Sequence, residues 1–128
     1  MGMSLERRVA RKLAGVSAVC VWTGAVSEDW TDPANWRGGV PGPADKAVFG
    51  KGAQRNCVLP GGTLVKGIRT LKAFDKNIDV GDVRVSGDMK VYGGHMTYNK
   101  ATICGSLTLG SGTENSFRGT DMTMALEA

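Results

Sequence analysis

The chain has 128 residues, a net charge of +4, 19 glycines and only 6% aromatic residues. This length favours a single domain, and a glycine-rich, aromatic-poor composition suits short strands and tight turns better than helices. Three cysteines without CxxC or Cys/His spacing argue against a disulfide framework and against a zinc site. No apolar run is long enough to span a membrane, and we expect no cofactor.

Most of the positive charge lies at the N terminus, in residues 1–15, which we interpret as a basic arm. The cations of the arm are Arg7, Arg8, Arg11 and Lys12. Its apolar residues recur every four positions and are Leu5, Val9 and Leu13. This period predicts an amphipathic helix over residues 4–14, too short to be stable alone. Such a helix needs a surface, which is either one end of this domain or an acidic partner protein.

Other partners fit the arm less well. It has no aromatic residues between its cations for stacking on nucleic-acid bases, and we expect neither nucleic acid nor a membrane as partner. The apolar stretch that follows it, residues 13–21, contains Gly15 and Ser17 and runs into Trp22 without a small-residue cleavage site. We therefore expect no secretion signal.

All three tryptophans lie in residues 16–50. Residues 16–22 read as a strand, and Asp32-Pro33 suits the start of one helical turn over residues 33–36. Glycines and prolines over residues 38–43 predict a turn, and residues 47–49 then enter the first coil of the domain. The tryptophans either plug the open end of that coil or, in the case of Trp30 and Trp36, form an exposed platform for carbohydrate.

This segment resembles the N-terminal part of bacterial β-helical surface proteins, including autotransporter passengers. The matching pattern is W-x-G, W, N-W, G-x-P, D, carried by Trp22, Gly24, Trp30, Asn35, Trp36, Gly39, Pro41 and Asp45. The resemblance covers about 30 residues, a quarter of the chain. It implies a right-handed parallel β-solenoid whose first coil is covered by aromatics. Members of that family are exported and have more coils, so the fold carries over better than the cell-surface role.

Three similar lines of sequence follow, at residues 65–71, 85–91 and 103–109. Each has a β-branched residue, then glycine two positions later, then an alternating run that ends on an aliphatic residue. The glycines Gly67, Gly87 and Gly105 are spaced by 20 and 18 residues, a period typical of solenoids. A sandwich with similar strands is the alternative. We predict an all-β, short parallel solenoid of about three coils over residues 16–112.

Stacking of these lines in register predicts three columns of residues. The first inward column is Val65, Val85 and Ile103, and the second is Leu71, Val91 and Leu109. The glycines form a third column, at a corner of each coil. We expect Cys57 and Cys104 to pack as small core residues.

The coils show no arrangement of residues that indicates catalysis. Asp75, Asp79, Asp82 and Asp88 all lie beside predicted corners, where aspartates cap turns. His95 is the only histidine, and no nucleophile or second metal ligand is associated with it. We therefore expect no enzymatic activity and no metal site.

The tail, residues 113–128, places Met122, Met124 and Leu126 at alternate positions, which predicts a strand. That strand either ends this chain's own sheet or pairs with a neighbouring copy. Exchange between copies would produce an oligomer, which we expect to be a homotrimer.

Together these features favour a non-enzymatic structural protein. The first interpretation is a capsid decoration (cement) protein of a bacteriophage virion, which binds the acidic surface of a major capsid protein through arm and tail. The alternative is an adhesin or carbohydrate-binding fragment at the bacterial cell surface.

Overall fold

A computed structural model describes the backbone of residues 18–124 and the side chains of residues 18–116. This part of the chain is nearly all strand and winds into a β-solenoid of about four turns. The predicted all-β solenoid is therefore confirmed. It has about one coil more than predicted, because the segment beyond residue 112 supplies β-structure of its own. The predicted helix over residues 4–14 lies outside the described residues.

The first face of the solenoid is a six-stranded sheet. Its strands are β1 (Val19–Trp22), β2 (Trp36–Arg37), β3 (Lys46–Phe49), β6 (Gly67–Thr70), β9 (Met89–Val91) and β11 (Leu107–Leu109). Strands β1, β3, β6, β9 and β11 pair in parallel, one from each successive coil. Strand β2 pairs antiparallel with β1 and closes the N-terminal edge of this sheet.

The second sheet supplies the other two faces. Its strands are β4 (Cys57–Val58), β5 (Thr63–Val65), β7 (Asn77–Asp79), β8 (Asp82–Val85), β10 (His95–Ile103) and β12 (Glu114–Met124). The first half of β10 pairs with β7, and its second half pairs with β8. The two halves belong to different faces, and the exposed pair Asn99 and Lys100 lies where they meet. We call the side built on β4 and β7 the second face and the side built on β5 and β8 the third face.

Strand β12 contains the tail as far as Met124. It pairs in parallel with β10 along both halves, from His95 opposite Glu114 to Ile103 opposite Met124. The tail is thus the last strand of this chain's own sheet, which was one of the two alternatives. Strand exchange with a neighbouring copy is not needed to account for it.

Alternation along each strand builds the core. In β8, Val83 and Val85 are buried while Asp82 and Arg84 are exposed, as expected where successive side chains point to opposite faces of a sheet. The predicted column of Val65, Val85 and Ile103 is confirmed, since their strands are in register and all three side chains are fully buried.

The second predicted column is wrong by one residue at its start. Val91 pairs with Thr70, not with Leu71, and Leu71 is 38% exposed. Thr70 is fully buried because its hydroxyl donates to Gly93 O at 2.7 Å and accepts from the backbone N–H groups of Tyr92 and Gly93. Leu109 does pair with Val91 but is 41% exposed. A polar residue with its hydrogen bonds made replaces the expected leucine.

The predicted glycine column holds for two of its three members. Gly87 N–H donates to Lys66 O, and Gly105 N–H donates to Gly87 O, so these corners stack along the solenoid axis. A Cβ on Gly87 would lie 2.7 Å from Lys66 O, which explains why this position lacks a side chain. Gly67 lies one residue further along, opposite Lys46 in β3, and Lys66 occupies the corner of that coil.

Candidate functional surfaces

The three tryptophans close the N-terminal end of the solenoid. Trp22, Trp30 and Trp36 are 1%, 2% and 7% exposed. Trp36 packs edge-on against both of the others, with ring centroids 5.1 and 4.8 Å apart, and Phe49 of the first full coil lies beneath all three. Edge-on contact is a favoured geometry for aromatic pairs. We call this cluster the tryptophan plug.

The plug matches the first of the two interpretations of these residues. A carbohydrate platform needs an exposed ring face, and neither Trp30 nor Trp36 offers one. Two of the three indole N–H groups donate within the fold. Trp36 Nε1 donates to Trp30 O at 2.7 Å, and Trp22 Nε1 donates to Arg55 O at 3.0 Å. The carbohydrate role predicted for Trp30 and Trp36 is therefore corrected to a packing role.

Asn35 holds the loop between the tryptophans in place. It is fully buried at the end of a 3-10 turn, Pro33–Asn35, whose N-cap Asp32 accepts from Ala34 N–H as the sequence predicts. Its side-chain oxygen accepts from the N–H groups of Val26 and Ser27. Its amide nitrogen donates to Ser27 Oγ and Asp29 O, both at 2.9 Å. Both donors and both lone pairs of this side-chain amide are therefore used.

The residues predicted to bind partners lie mostly outside the described part of the chain. The arm residues are Leu5, Arg7, Arg8, Val9, Arg11, Lys12 and Leu13, and Leu126 of the tail is likewise outside. Met122 and Met124 belong to β12, where the backbone register sets them beside Ala101 and Ile103. Their role in binding stays a prediction.

A groove with basic walls runs across the first face. It encloses about 510 Å³. The cations that line it are Lys46, Lys66, Arg69 and Lys90. The aliphatic side chains on its floor include the exposed Val19 and Leu71 and the partly exposed Val48. Within the described residues none of these cations forms an ion pair. We call this surface the basic groove.

The only carboxylate lining the basic groove is already engaged. Asp88 Oδ1 accepts from Ser106 N–H at 2.8 Å and from Ser106 Oγ at 3.2 Å, which ties the third coil to the fourth. These hydrogen bonds, aided by Lys90 and Lys46, lower the pKa of the Asp88 carboxyl below its usual value. Asp88 therefore acts as a corner cap, as the sequence predicts, and stays charged near neutral pH.

The second face carries the opposite charge at the same end of the molecule. A shallow hollow of about 290 Å³ is lined by Glu28, Asp29, Val58 and Pro60. Val58 is 44% exposed, and both carboxylates are exposed beside it. Asp29 accepts from the N–H and hydroxyl of Thr31, which lowers the pKa of its carboxyl. We call these four residues the acidic patch.

The remaining reactive side chains serve the fold. Burial raises the pKa of the Cys57 thiol, with a smaller contribution from Asp29 and Glu28, so the thiol is protonated and unreactive. Burial also raises the pKa of Tyr98, whose hydroxyl donates to Asn115 Oδ1 at 2.8 Å. His95 Nδ1 lies 3.0 Å from Glu114 Oε2 on the second face. Cys57 is a core residue as predicted, whereas Cys104 is only partly buried.

Metal clusters and membrane-spanning helices are both absent from the part of the chain that the structure describes. No group of three or more His, Cys, Asp or Glu side chains is positioned there to hold a metal ion. No helix in that part of the chain has the length and apolar character needed to cross a bilayer.

The sequence reading missed the basic groove, although a signal was present. Val48, Arg69, Lys90 and Thr108 occupy equivalent outward positions in successive coils, and two of the four are cations. The repeat that aligns the inward positions also aligns these outward ones, and this alignment is the signal in the sequence for the groove.

Comparison with known proteins gives no relative. No family model matches this chain, and neither a curated protein nor a solved structure is similar to it. The properties of the molecule must therefore be argued from its own surfaces.

Proposed function

We propose that this protein is a non-enzymatic structural component, namely a capsid decoration protein on the virion surface of a bacteriophage. The observation that carries the proposal is the sorting of charge on a rigid body. Four cations line a groove on the first face, two carboxylates line a hollow on the second, and Thr70 and Asp88 are hydrogen-bonded at corners of the coils. Such a body is suited to contacts with other protein surfaces, because extended faces with complementary charge select and orient partners.

In this proposal the basic arm makes the contact with the shell. The arm precedes β1 in the sequence and adds four cations to a chain whose first face carries the basic groove. An acidic surface of a major capsid protein is the matching partner, and burial of Leu5, Val9 and Leu13 against that surface would offset the ordering cost of a short helix. The solenoid would then stand on the shell as a knob, with three copies grouped as a homotrimer.

The test is binding to shells. Shells assembled from the major capsid protein encoded beside this gene should carry the purified protein through sedimentation. The variant with Arg7, Arg8, Arg11 and Lys12 all changed to Ala should stay in the supernatant. A matched control changes four exposed cations elsewhere, namely Lys51, Lys72, Arg84 and Lys100, and should still co-sediment. Absence of a capsid gene nearby, or equal binding by the arm variant, would contradict the proposal.

The alternative, a β-helical adhesin at the bacterial cell surface, is favoured by one observation. The chain begins its solenoid with buried tryptophans at the positions where the resemblance to bacterial surface proteins expects them. Protease treatment of intact producing cells distinguishes the two functions. Degradation of the protein on intact cells would favour the adhesin, whereas protection in cells together with recovery in purified virions favours the capsid protein.

A further inference from the structure

The basic groove has four cations and one carboxylate, Asp88, and none of the cations forms an ion pair within the described residues. Lys46, Lys66 and Arg69 are exposed, and Lys90 is partly exposed, around an aliphatic floor. Val19 on that floor is 59% exposed and Leu71 is 38% exposed. Exposed aliphatic groups surrounded by cations favour an occupant that brings both carboxylates and apolar side chains, because such an occupant pairs the charges and removes the floor from water.

The N-terminal arm is a poor occupant on grounds of charge. It carries four cations against the single carboxylate of Glu6, so it would place like charges in a groove that is already positive. Nucleic acid and carbohydrate also match poorly, since the residues lining the groove include no aromatic ring on which a base or sugar could stack.

The acidic patch has the required chemistry. Its carboxylates, Glu28 and Asp29, flank the exposed Val58, with Pro60 beside it. The register extends this surface, because Val58 lies opposite Asp79 in the next coil. Asp79 is exposed as well. The patch therefore offers acidic groups around an aliphatic centre, as the groove offers basic groups around an aliphatic floor.

The two surfaces also lie at matching heights along the solenoid. Asp29 forms an isolated parallel β-bridge with Val58. Val58 belongs to the coil that β3 begins, and Asp29 lies one coil earlier, at the level of β1. Asp29, Val58 and Asp79 thus share their levels with β1, β3 and β6, the strands that carry most of the groove. Copies placed side by side with parallel axes can bring the groove of one against the patch of the next without any shift.

We propose that the basic groove of one copy binds the acidic patch of a second copy. The contact joins two different surfaces, so it is heterologous. A heterologous contact closes into a ring where the rotation between copies divides a full turn, and a rotation of one third of a turn gives a trimer. This proposal rests on the self-association that is part of the proposed function, and supplies the contact for the trimer now that the tail pairs within its own chain.

Charge reversal of the full-length protein tests the contact, with sedimentation velocity as the readout. The groove variant is Lys46→Glu with Arg69→Glu, and the patch variant is Glu28→Lys with Val58→Lys. Each should dissociate to monomer, with association weakened about 100-fold or more, since facing like charges cost several kcal/mol. The variant with all four changes restores opposite charges and should associate within about tenfold of wild type. Arg84→Glu on the third face is the control and should remain a trimer.

The salt dependence of the wild type gives a second measurement that needs no variant. Association should weaken steadily between 50 and 500 mM NaCl, on the order of tenfold, because exposed charge pairs are screened. A trimer that survives both charge reversals and is insensitive to salt would overturn the groove–patch contact and leave the trimer itself standing. A monomeric wild type would overturn both. Shell binding through the arm is measured separately, so its failure does not alter either result.

Discussion

The two ends of the solenoid differ in how completely they bury the residue at one equivalent position of the core. Trp22, Phe49, Thr70, Val91 and Leu109 lie opposite one another in successive strands of the first face. Trp22 is 1% exposed because Trp36 packs edge-on against it, and Trp30 packs in turn against Trp36, whereas Leu109 at the other end is 41% exposed. A coil therefore buries its inward residue only if another layer covers it. The stability of this molecule should be unevenly distributed, concentrated at the plug and lowest in the last coil.

The largest expected effect comes from emptying the plug. Trp22→Ala should lower the free energy of unfolding by about 3–5 kcal/mol, because it leaves a cavity beneath Trp36 and above Phe49. Trp22→Phe keeps part of the ring contact and should cost less. Urea unfolding followed by circular dichroism measures both, and equal stabilities for Trp22→Ala and wild type would contradict the role of the plug.

Asn35→Ala should come next, at about 2–4 kcal/mol. The change removes the acceptor for Val26 and Ser27 N–H and the donors to Ser27 Oγ and Asp29 O, and buried groups left without partners are costly. Asn99→Ala is the matched control, since Asn99 is exposed at the corner of β10. Thermal melts of the two variants should differ clearly, and similar melting temperatures would show that the loop does not depend on Asn35.

Thr70→Val tests the middle of the column of equivalent residues that runs from Trp22 to Leu109. Valine has nearly the same shape but cannot donate to Gly93 O or accept from Tyr92 and Gly93 N–H. A loss of about 1–3 kcal/mol is expected from these buried groups. Thr108→Val, at an outward position in β11, should be nearly neutral in the same denaturation series. A Thr70→Val protein as stable as wild type would mean that the hydroxyl contributes only packing.

Asp88 tests the attachment of the last coil through its pH dependence. The pKa of its carboxyl is lowered in the fold, so its contribution to stability is present above the ordinary aspartate value of about 4 and is lost as the pH falls through the lowered value. Asp88→Ala should therefore melt at a lower temperature than wild type at pH 7, and the difference should shrink at about pH 2. A difference that persists unchanged in acid would assign the effect to something other than the carboxylate.

The smallest effect is expected at the uncovered end. Leu109→Ala should change the free energy of unfolding by less than about 0.5–1 kcal/mol, because the side chain is already partly in water. Comparison of this value with the one for Trp22→Ala in the same urea series measures how much local stability differs between the two ends of the solenoid. A loss as large as that of Trp22→Ala would show that the end is covered in solution.

The repeat in the sequence was sufficient to predict the solenoid but not its details. Inward β-branched residues stack because each coil repeats the pattern of the last, and so Val65, Val85 and Ile103 were predicted correctly. Leu71 was not, since a buried threonine with three hydrogen bonds looks polar in sequence, and the leucine after it looks apolar. The burial of Trp30 and Trp36 followed from interpreting them as a plug. The basic groove and the acidic patch depend on which outward residues lie side by side, and this becomes visible only when the coil register is known.

The plug also has a consequence for the order in which the chain acquires structure during synthesis. The rings of the plug and the backbone acceptors of the Trp22 and Trp36 indoles lie between Trp22 and Arg55, so they leave the ribosome before the later coils. Each later coil pairs with the one made 18–21 residues earlier, as in Met89 opposite Leu107 and Ile68 opposite Met89. Structure can therefore grow behind the ribosome one coil at a time from a finished template, with no need to wait for the C terminus.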